Sequence, residues 1–379
     1  MKNMATDERD ASNDSSKSKH NISFEVHDSF SKDLIDRYDG FILDQFGVLH
    51  NGVNGLEGAP DLVRKLASAC SEYGNKKLVI VSNSSSSSES CKAKLPTLGF
   101  DPKDFVNAVT SGEEAGRYIR NEYATSTNGD VDVDVDVDQK KKKKRKALWF
   151  TWKSPKTPSP LRFLELCGNV PVTVDPNEAD YVILHGVDVL RGPGEDGTAP
   201  EISLGDFHTS GKMNENNSKD DGKDDDGSST TNNTTTTTTI DSVLQTCVDR
   251  GLPMVCANPD FIMVKPNGSM GHMPGTIAKR YEELGGTCVS FGKPHVPHFE
   301  ACLRDLDLPR HRVVHVGDSL HHDVKGANDA GIDSVFVAGG IHRTELGSEL
   351  NAVPNEDALN QLFEKHSQMP THVVPMFRM

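Results

Sequence analysis

His311-Arg312-Val313-Val314-His315-Val316-Gly317-Asp318-Ser319-Leu320-His321-His322-Asp323 is the stretch on which the reading of this chain turns. In its first half, His311 to Val316, the β-branched Val313, Val314 and Val316 predict a buried strand that ends in Gly317-Asp318. A helical pattern follows over His322 to Ala330, and a second strand over Asp333 to Ala338. Asp318 and Asp323, five residues apart across a strand-to-helix turn, can both serve one hard cation. The ordinary role of Asp323 would be to stabilise the first turn of the helix, which is compatible with that duty.

Working outward, the same alternation recurs. Tyr38 to Leu43 predicts a short buried strand stopping at Asp44, and Ala59 to Ser71 a helix with Leu62, Leu66 and Ala67 on one face. Lys77 to Val81 predicts a strand ending at Ser82, and Ser88 to Leu98 a helix. Thr110-Ser111-Gly112-Glu113-Glu114 reads as a helix start with Ser111 as N-cap and Glu114 three residues on, the helix running to about Tyr123. Strands are expected at Ala147 to Phe150, Tyr181 to Leu184 and Pro253 to Cys256, with helices at Ile240 to Asp249 and Gly275 to Leu284. Buried strands alternating with amphipathic helices predict an α/β fold with a parallel sheet. Ligands of such sheets bind beyond the carboxyl ends of the strands, where Asp44 and Ser82 fall.

Three further blocks supply chemistry. In Asp44-Gln45-Phe46-Gly47-Val48-Leu49, a strand-end carboxylate can attack phosphorus, and Gly47 lets the chain turn sharply beside it. The hydroxyl and N–H groups of Ser82-Asn83-Ser84 can bind phosphoryl oxygens, although a plain helix cap is the ordinary reading. Lys293 in Gly292-Lys293-Pro294 can bring a positive charge to a nucleophile and a transferring group, or be a turn lysine. Each block is weak alone.

Together, in this order, they resemble the four motifs of the haloacid dehalogenase superfamily. The likeness is closest to the subclass with a C2 cap, the p-nitrophenyl phosphatase-like hydrolases. Asn258-Pro259-Asp260, Pro274-Gly275-Thr276 and Thr110-Ser111-Gly112 add to it. The resemblance implies a Rossmann-like parallel-sheet core with a large α/β cap inserted between the second and third motifs. It implies Mg2+ held by Asp44, the Phe46 carbonyl and Asp318, with Asp323 counted among the metal residues. Asp44 would be the nucleophile, and Ser82, Asn83 and Lys293 would hold the phosphoryl group. Asn258 and Asp260, in the cap, would meet the rest of a small phosphorylated metabolite. A homodimer is also in keeping with such caps. The expected organisation is a tail over 1–28, core over 29–123, an insert over 124–146, cap over 147–272 with an insert at 206–239, core over 273–367, and a tail over 368–379.

One position departs from the pattern. Phosphatases of this family carry a second aspartate two residues after the nucleophile, serving as acid and then base, and here that residue is Phe46. Its metal-binding carbonyl survives while its proton-transfer group is gone, a loss of about 10²- to 10⁴-fold. Either His50 substitutes, or turnover is slow, or the chain is a regulatory protein that binds a phosphorylated ligand without hydrolysing it. Phe46 itself is expected to pack under the cap.

Composition narrows the field. A net charge of −15 argues against nucleic acid and anionic membranes as partners. Seven cysteines without a C-x-x-C pair suggest reduced thiols, and the acidic first 22 residues lack the apolar stretch of a secretory signal, so a cytoplasmic protein is expected. The Asp130 to Asp138 ladder lacks the glycine and glutamate of a calcium loop. The basic run from Lys140 to Lys146, beside those aspartates, reads as solvated linker rather than a nuclear address. His295, His298, His321 and His322 admit a zinc site, but the oxygen-rich motif set favours magnesium.

Overall fold

The apolar runs read as strands assemble into two sheets in a computed structural model, which describes residues 24–124, 145–153, 159–204, 240–264, 270–349 and 351–379. Residues 125–144 of the first insert, with the aspartate ladder and 140–144 of the basic run, and the whole second insert lie outside the described residues. In chain order the strands are β1 (Glu25–Val26), β2 (Gly40–Leu43), β3 (Lys77–Ser82), β4 (Asn107–Thr110), β5 (Ala147–Thr151), β6 (Val172–Thr173), β7 (Tyr181–Leu184) and β8 (Val189–Arg191). They continue with β9 (Glu201–Ser203), β10 (Pro253–Cys256), β11 (Ile262–Val264), β12 (Met270–His272), β13 (Thr287–Ser290), β14 (Val313–Gly317), β15 (Asp333–Val337) and β16 (His372–Val374).

The core sheet runs β1-β16-β15-β14-β2-β3-β4, with every pair parallel. Its central strands are buried on both faces, as a parallel sheet between helices requires. Phe41, Leu43, Ile80 and Val316 pack on one side. Ile42, Val79 and Val81 face the helix Val296–Leu306 on the other. The cap sheet runs β13-β10-β7-β5-β8-β9, with β6 beside β5, and β11 and β12 form a separate antiparallel pair. These assignments establish the α/β class and the inserted cap.

Four expectations need correction. The last residues are no tail: β16 inserts between β1 and β15, and Met376 and Phe377 are buried behind it. Order likewise starts before residue 29, because β1 takes the free edge of β16. Both strands are too short to show an apolar period, and only their neighbours make them strands. The cap also reaches past residues 147–272. The helix Pro274–Glu283 buries Ile277, Ala278 and Tyr281 in the cap's core, and β13 pairs with β10. The helix Ser111–Ile119 lays Ala115 and Ile119 against the other face of the cap sheet, so it too belongs with the cap.

Smaller differences are local. Thr110, not Ser111, is the N-cap, its hydroxyl accepting from the Glu113 N–H. The helix begun at Ala59 closes at Ala67. The one begun at Ser88 tightens after Lys94, where Pro96 removes a donor. Beyond Asp318 the chain makes a wide turn over Leu320–Val324 before the regular helix Lys325–Asp329.

Candidate active site

Parallel register sets the site. Leu43 pairs with Val316 on one side and Ile80 on the other, so Asp44, Ser82 and Asp318 emerge together at the carboxyl edge. The Asp44 N–H donates to the Val316 carbonyl at 2.9 Å, fixing the first turn beyond the strand. Lys293 enters from the loop after β13, its Nζ 2.6 Å from Asp44 Oδ1 and 2.7 Å from Asp323 Oδ1. Oxygens of Asp44, Asp318 and Asp323 lie within 4.8 Å of one another.

Close backbone approach makes this convergence possible. Gly47 has φ +86°, and a Cβ there would stand 2.0 Å from Asp318 Oδ2. Gly340 brings the following loop equally near, and the Ile341 N–H donates to Asp318 Oδ2 at 2.8 Å. No side chain fits at either glycine without displacing the carboxylate.

The electrostatics follow from burial and proximity. Burial, with Asp323 nearby, raises the Asp44 carboxyl from 3.8 to about 6 against the pull of Lys293. Burial and the two neighbouring carboxylates push Asp318 well above the carboxylate range. Asp323 goes the other way: burial would raise it, yet Lys293 and His315 hold it below that range. For Lys293, burial disfavours the ammonium, but Asp323 and Asp44 outweigh it and keep the proton on. Three carboxylates, two of them buried, around one ammonium leave a deficit of positive charge. Their all-oxygen donor set fits a hard divalent cation, and that is the test the residues present pass.

The expected residues divide by role. Asp44, Asp318 and Lys293 share the site. Asp323 is there too, but its oxygens are already engaged: Oδ1 meets Lys293 and His315 Nε2 at 2.8 Å, and Oδ2 accepts from the Ser319 N–H. It fits a positioning residue better than a direct ligand. Ser82 stands at its strand end, and its hydroxyl accepts from the Ser84 N–H. Asn83 ties core to cap. Its Oδ1 accepts from the Lys293 N–H at 2.6 Å, and its Nδ2 donates to Asp260 Oδ1 at 2.7 Å. Asn258 is buried, and its side-chain oxygen accepts from the Asp260 N–H, so Asn258 shapes the loop that meets Asn83.

Phe46 does not pack under the cap: it is 47% exposed, with its ring edge-on to His50. His50 Nδ1 accepts from the Gly52 N–H, and burial with Lys94 lowers its pKa to about 4. The four histidines weighed for zinc do not gather into a metal-binding group among the described residues. His298 is instead buried beside the Ser82 carbonyl, its pKa lowered to about 3 by burial and by Lys293.

Sequence reasoning missed His315. It sits at 0% exposure in β14, one nitrogen 2.9 Å from the Ile42 carbonyl and the other on Asp323. The signal was present, since a histidine inside an otherwise apolar strand needs polar partners.

Comparison with known proteins agrees with this geometry. Residues 41–133 match the family profile of haloacid dehalogenase-like hydrolases, and residues 290–365 match that of HAD-hydrolase-like proteins. Both matched segments carry strand-end carboxylates of the core, and the capped fold is similar to that of haloacid dehalogenase-like hydrolases. A haloacid dehalogenase-like hydrolase from Brucella suis shares the fold, with TM-score 0.56, 23% identity, and 90% and 96% of the two chains covered. A p-nitrophenyl phosphatase from Archaeoglobus fulgidus does so with TM-score 0.52, 19% identity, and 90% and 97% covered. A curated relative, dihydroxyacetone phosphatase of Corynebacterium glutamicum, is 28% identical over 91 residues, 24% of this chain. That alignment spans 33% of the relative's length.

Proposed function

We propose that the chain is a phosphoric monoester hydrolase that uses Asp44 as nucleophile on a small phosphorylated metabolite. The observation that carries this reading is the contact of Lys293 Nζ with Asp44 at 2.6 Å and Asp323 at 2.7 Å. It aims a buried positive charge at the place where phosphoryl oxygens would gather. Asp44 forms a bond to phosphorus as the ester P–O bond breaks, and attack of water on phosphorus then returns the free carboxylate. Ser82 and Lys293 hold the phosphoryl oxygens, while Asp323 and His315 keep Lys293 in place. Magnesium, held by Asp44, Asp318 and the Phe46 carbonyl, would supply charge neutralisation. The match to a dihydroxyacetone phosphatase and the likeness to nitrophenyl phosphatases support this substrate class.

A second reading rests on a specific observation. No carboxylate stands two residues after Asp44, and His50, with a pKa of about 4, is not charged at neutral pH to protonate a leaving group. A protein that binds phosphorylated ligands and scarcely hydrolyses them would look the same. Assay of the purified full chain against a panel of phosphomonoesters with Mg2+ separates the two. Turnover that Asp44→Asn abolishes is the expected result. Turnover unchanged in Asp44→Asn sinks the nucleophile assignment, and ligand binding without turnover favours the second reading.

A further inference from the structure

At the amino ends of the core strands, on the edge of the sheet away from Asp44, three side chains meet that the phosphate site does not use. β1 and β16 pair with Glu25 opposite His372, and His27 follows β1 directly. His27 Nε2 lies 3.2 Å from His372 Nδ1, and Glu25 Oε2 lies 3.8 Å from each of those nitrogens. Two imidazole nitrogens bound to one tetrahedral zinc stand about 3.3 Å apart. The observed spacing is therefore that of ligands already in position, and the carboxylate oxygen is within reach of the same centre.

Hydrogen-bond directions show which nitrogen of His372 carries the proton. The Tyr38 hydroxyl donates its one proton to Asp333 Oδ2 at 2.8 Å, so its oxygen must accept from His372 Nε2 at 2.9 Å. His372 therefore carries its proton on Nε2, and its Nδ1 lone pair, which accepts from His27 Nε2 in the metal-free protein, faces the cluster. A ligating histidine whose other nitrogen donates to a fixed partner, itself anchored on a carboxylate, is the usual support of a metal site. Glu25 is steadied in the same way: Arg37 donates to its Oε1 at 2.8 Å and leaves Oε2 turned to the histidines.

Burial favours neutral rings, while the nearby carboxylates would welcome a cation. Burial lowers the pKa of both rings, that of His372 to about 4, against Glu25. Asp28 and Asp33 add negative charge around His27, and Arg37 opposes them.

We propose that Glu25, His27 and His372 form a second metal site, which takes Zn2+ and clasps β1 onto β16. Two nitrogens and one oxygen suit zinc rather than magnesium. On binding, His27 gives up its Nε2 proton and takes one on Nδ1, so neither ring changes charge. The clasp explains how a strand of two residues holds the edge of a seven-stranded sheet.

Titration of the metal-stripped full chain with Zn2+ against a colorimetric chelator, in excess Mg2+, tests this. Wild type is expected to hold one zinc that His27→Gln and Glu25→Gln each weaken at least tenfold. Tyr38→Phe, which keeps the ring and removes the support of His372, should weaken it about 10- to 100-fold. Zinc should raise the unfolding midpoint of wild type and leave that of His27→Gln unmoved, with unchanged circular dichroism showing that the variants fold. Phosphatase activity of His27→Gln should match wild type, so the result stands apart from the catalytic reading. Zinc bound as tightly by both Gln variants as by wild type, or not bound by wild type at all, overturns the proposal.

Discussion

On the proposed mechanism, Phe46 is the residue that sets the speed of this site. With no acid to protonate the leaving group, the ester oxygen departs with its full negative charge, and rates should fall steeply as that group becomes more basic. Nitrophenyl phosphate should accordingly be cleaved well ahead of alkyl phosphates. Phe46→Asp should raise kcat on an alkyl phosphate by about 10²- to 10⁴-fold and flatten the dependence on the leaving group. Its 47% exposure leaves room for the smaller carboxylate without opening a cavity. A variant no faster than wild type across a leaving-group series would show that proton transfer is not the limit.

Asp44 ties pH to both rate and stability, in opposite senses. In the metal-free site its carboxyl is raised to about 6, so at limiting Mg2+ kcat/KM should decline as pH drops below about 6, where protons compete with the ion for the nucleophile. A carboxyl raised on folding contributes stability that is fully present below its unfolded pKa of about 3.9 and lost as pH rises through the folded value. In metal-free protein, the stability gained by Asp44→Asn should therefore grow between pH ~4 and ~6. Urea melts of both proteins across that range measure it; a gain independent of pH would contradict the assignment.

Among the elements, those that carry chemistry were the most legible. Asp44, Ser82 and Asp318 stand at the ends of strands whose apolar runs declare themselves locally, and parallel register then brings them together. Legibility failed where an element owes its existence to neighbours. β13 is only half-buried and shows no apolar run, so it became visible as a cap strand only through β10. The link from Asn83 to Asp260 joins residues 177 apart, a pairing that no local pattern encodes. Gly47 lies between these cases, since its turn was readable but its closeness to Asp318 was not. Gly47→Ala should cost about 1–2 kcal/mol from the left-handed backbone alone. It should also weaken divalent-ion binding, because the new methyl must move Asp318. Calorimetric titration with Mg2+ checks the second effect, and unchanged affinity would mean that the loop yields instead.

For the whole molecule, the last stretch of chain closes the structure. Val373, Val374, Met376 and Phe377 are all buried, each contributing about 1.5–3 kcal/mol. Their combined weight is comparable to the entire stability of an ordinary domain, about 5–15 kcal/mol. A chain ending at Ser367 should therefore fail to accumulate as folded protein. A soluble, cooperatively melting truncation would show that β16 is dispensable.

The amide of Asn83 has one further consequence. The same side chain grips the backbone of Lys293 and the carboxylate of Asp260, so one amide fastens core to cap and holds the lysine as well. Prising the cap away would release that amide and, with it, the peptide that carries the positive charge to Asp44. Admission and readiness are thus interlocked: an open molecule is also an unarmed one. A compound that merely wedges the cap apart should silence the reaction without touching any reacting atom, and its inhibition should not be relieved by crowding the site with substrate.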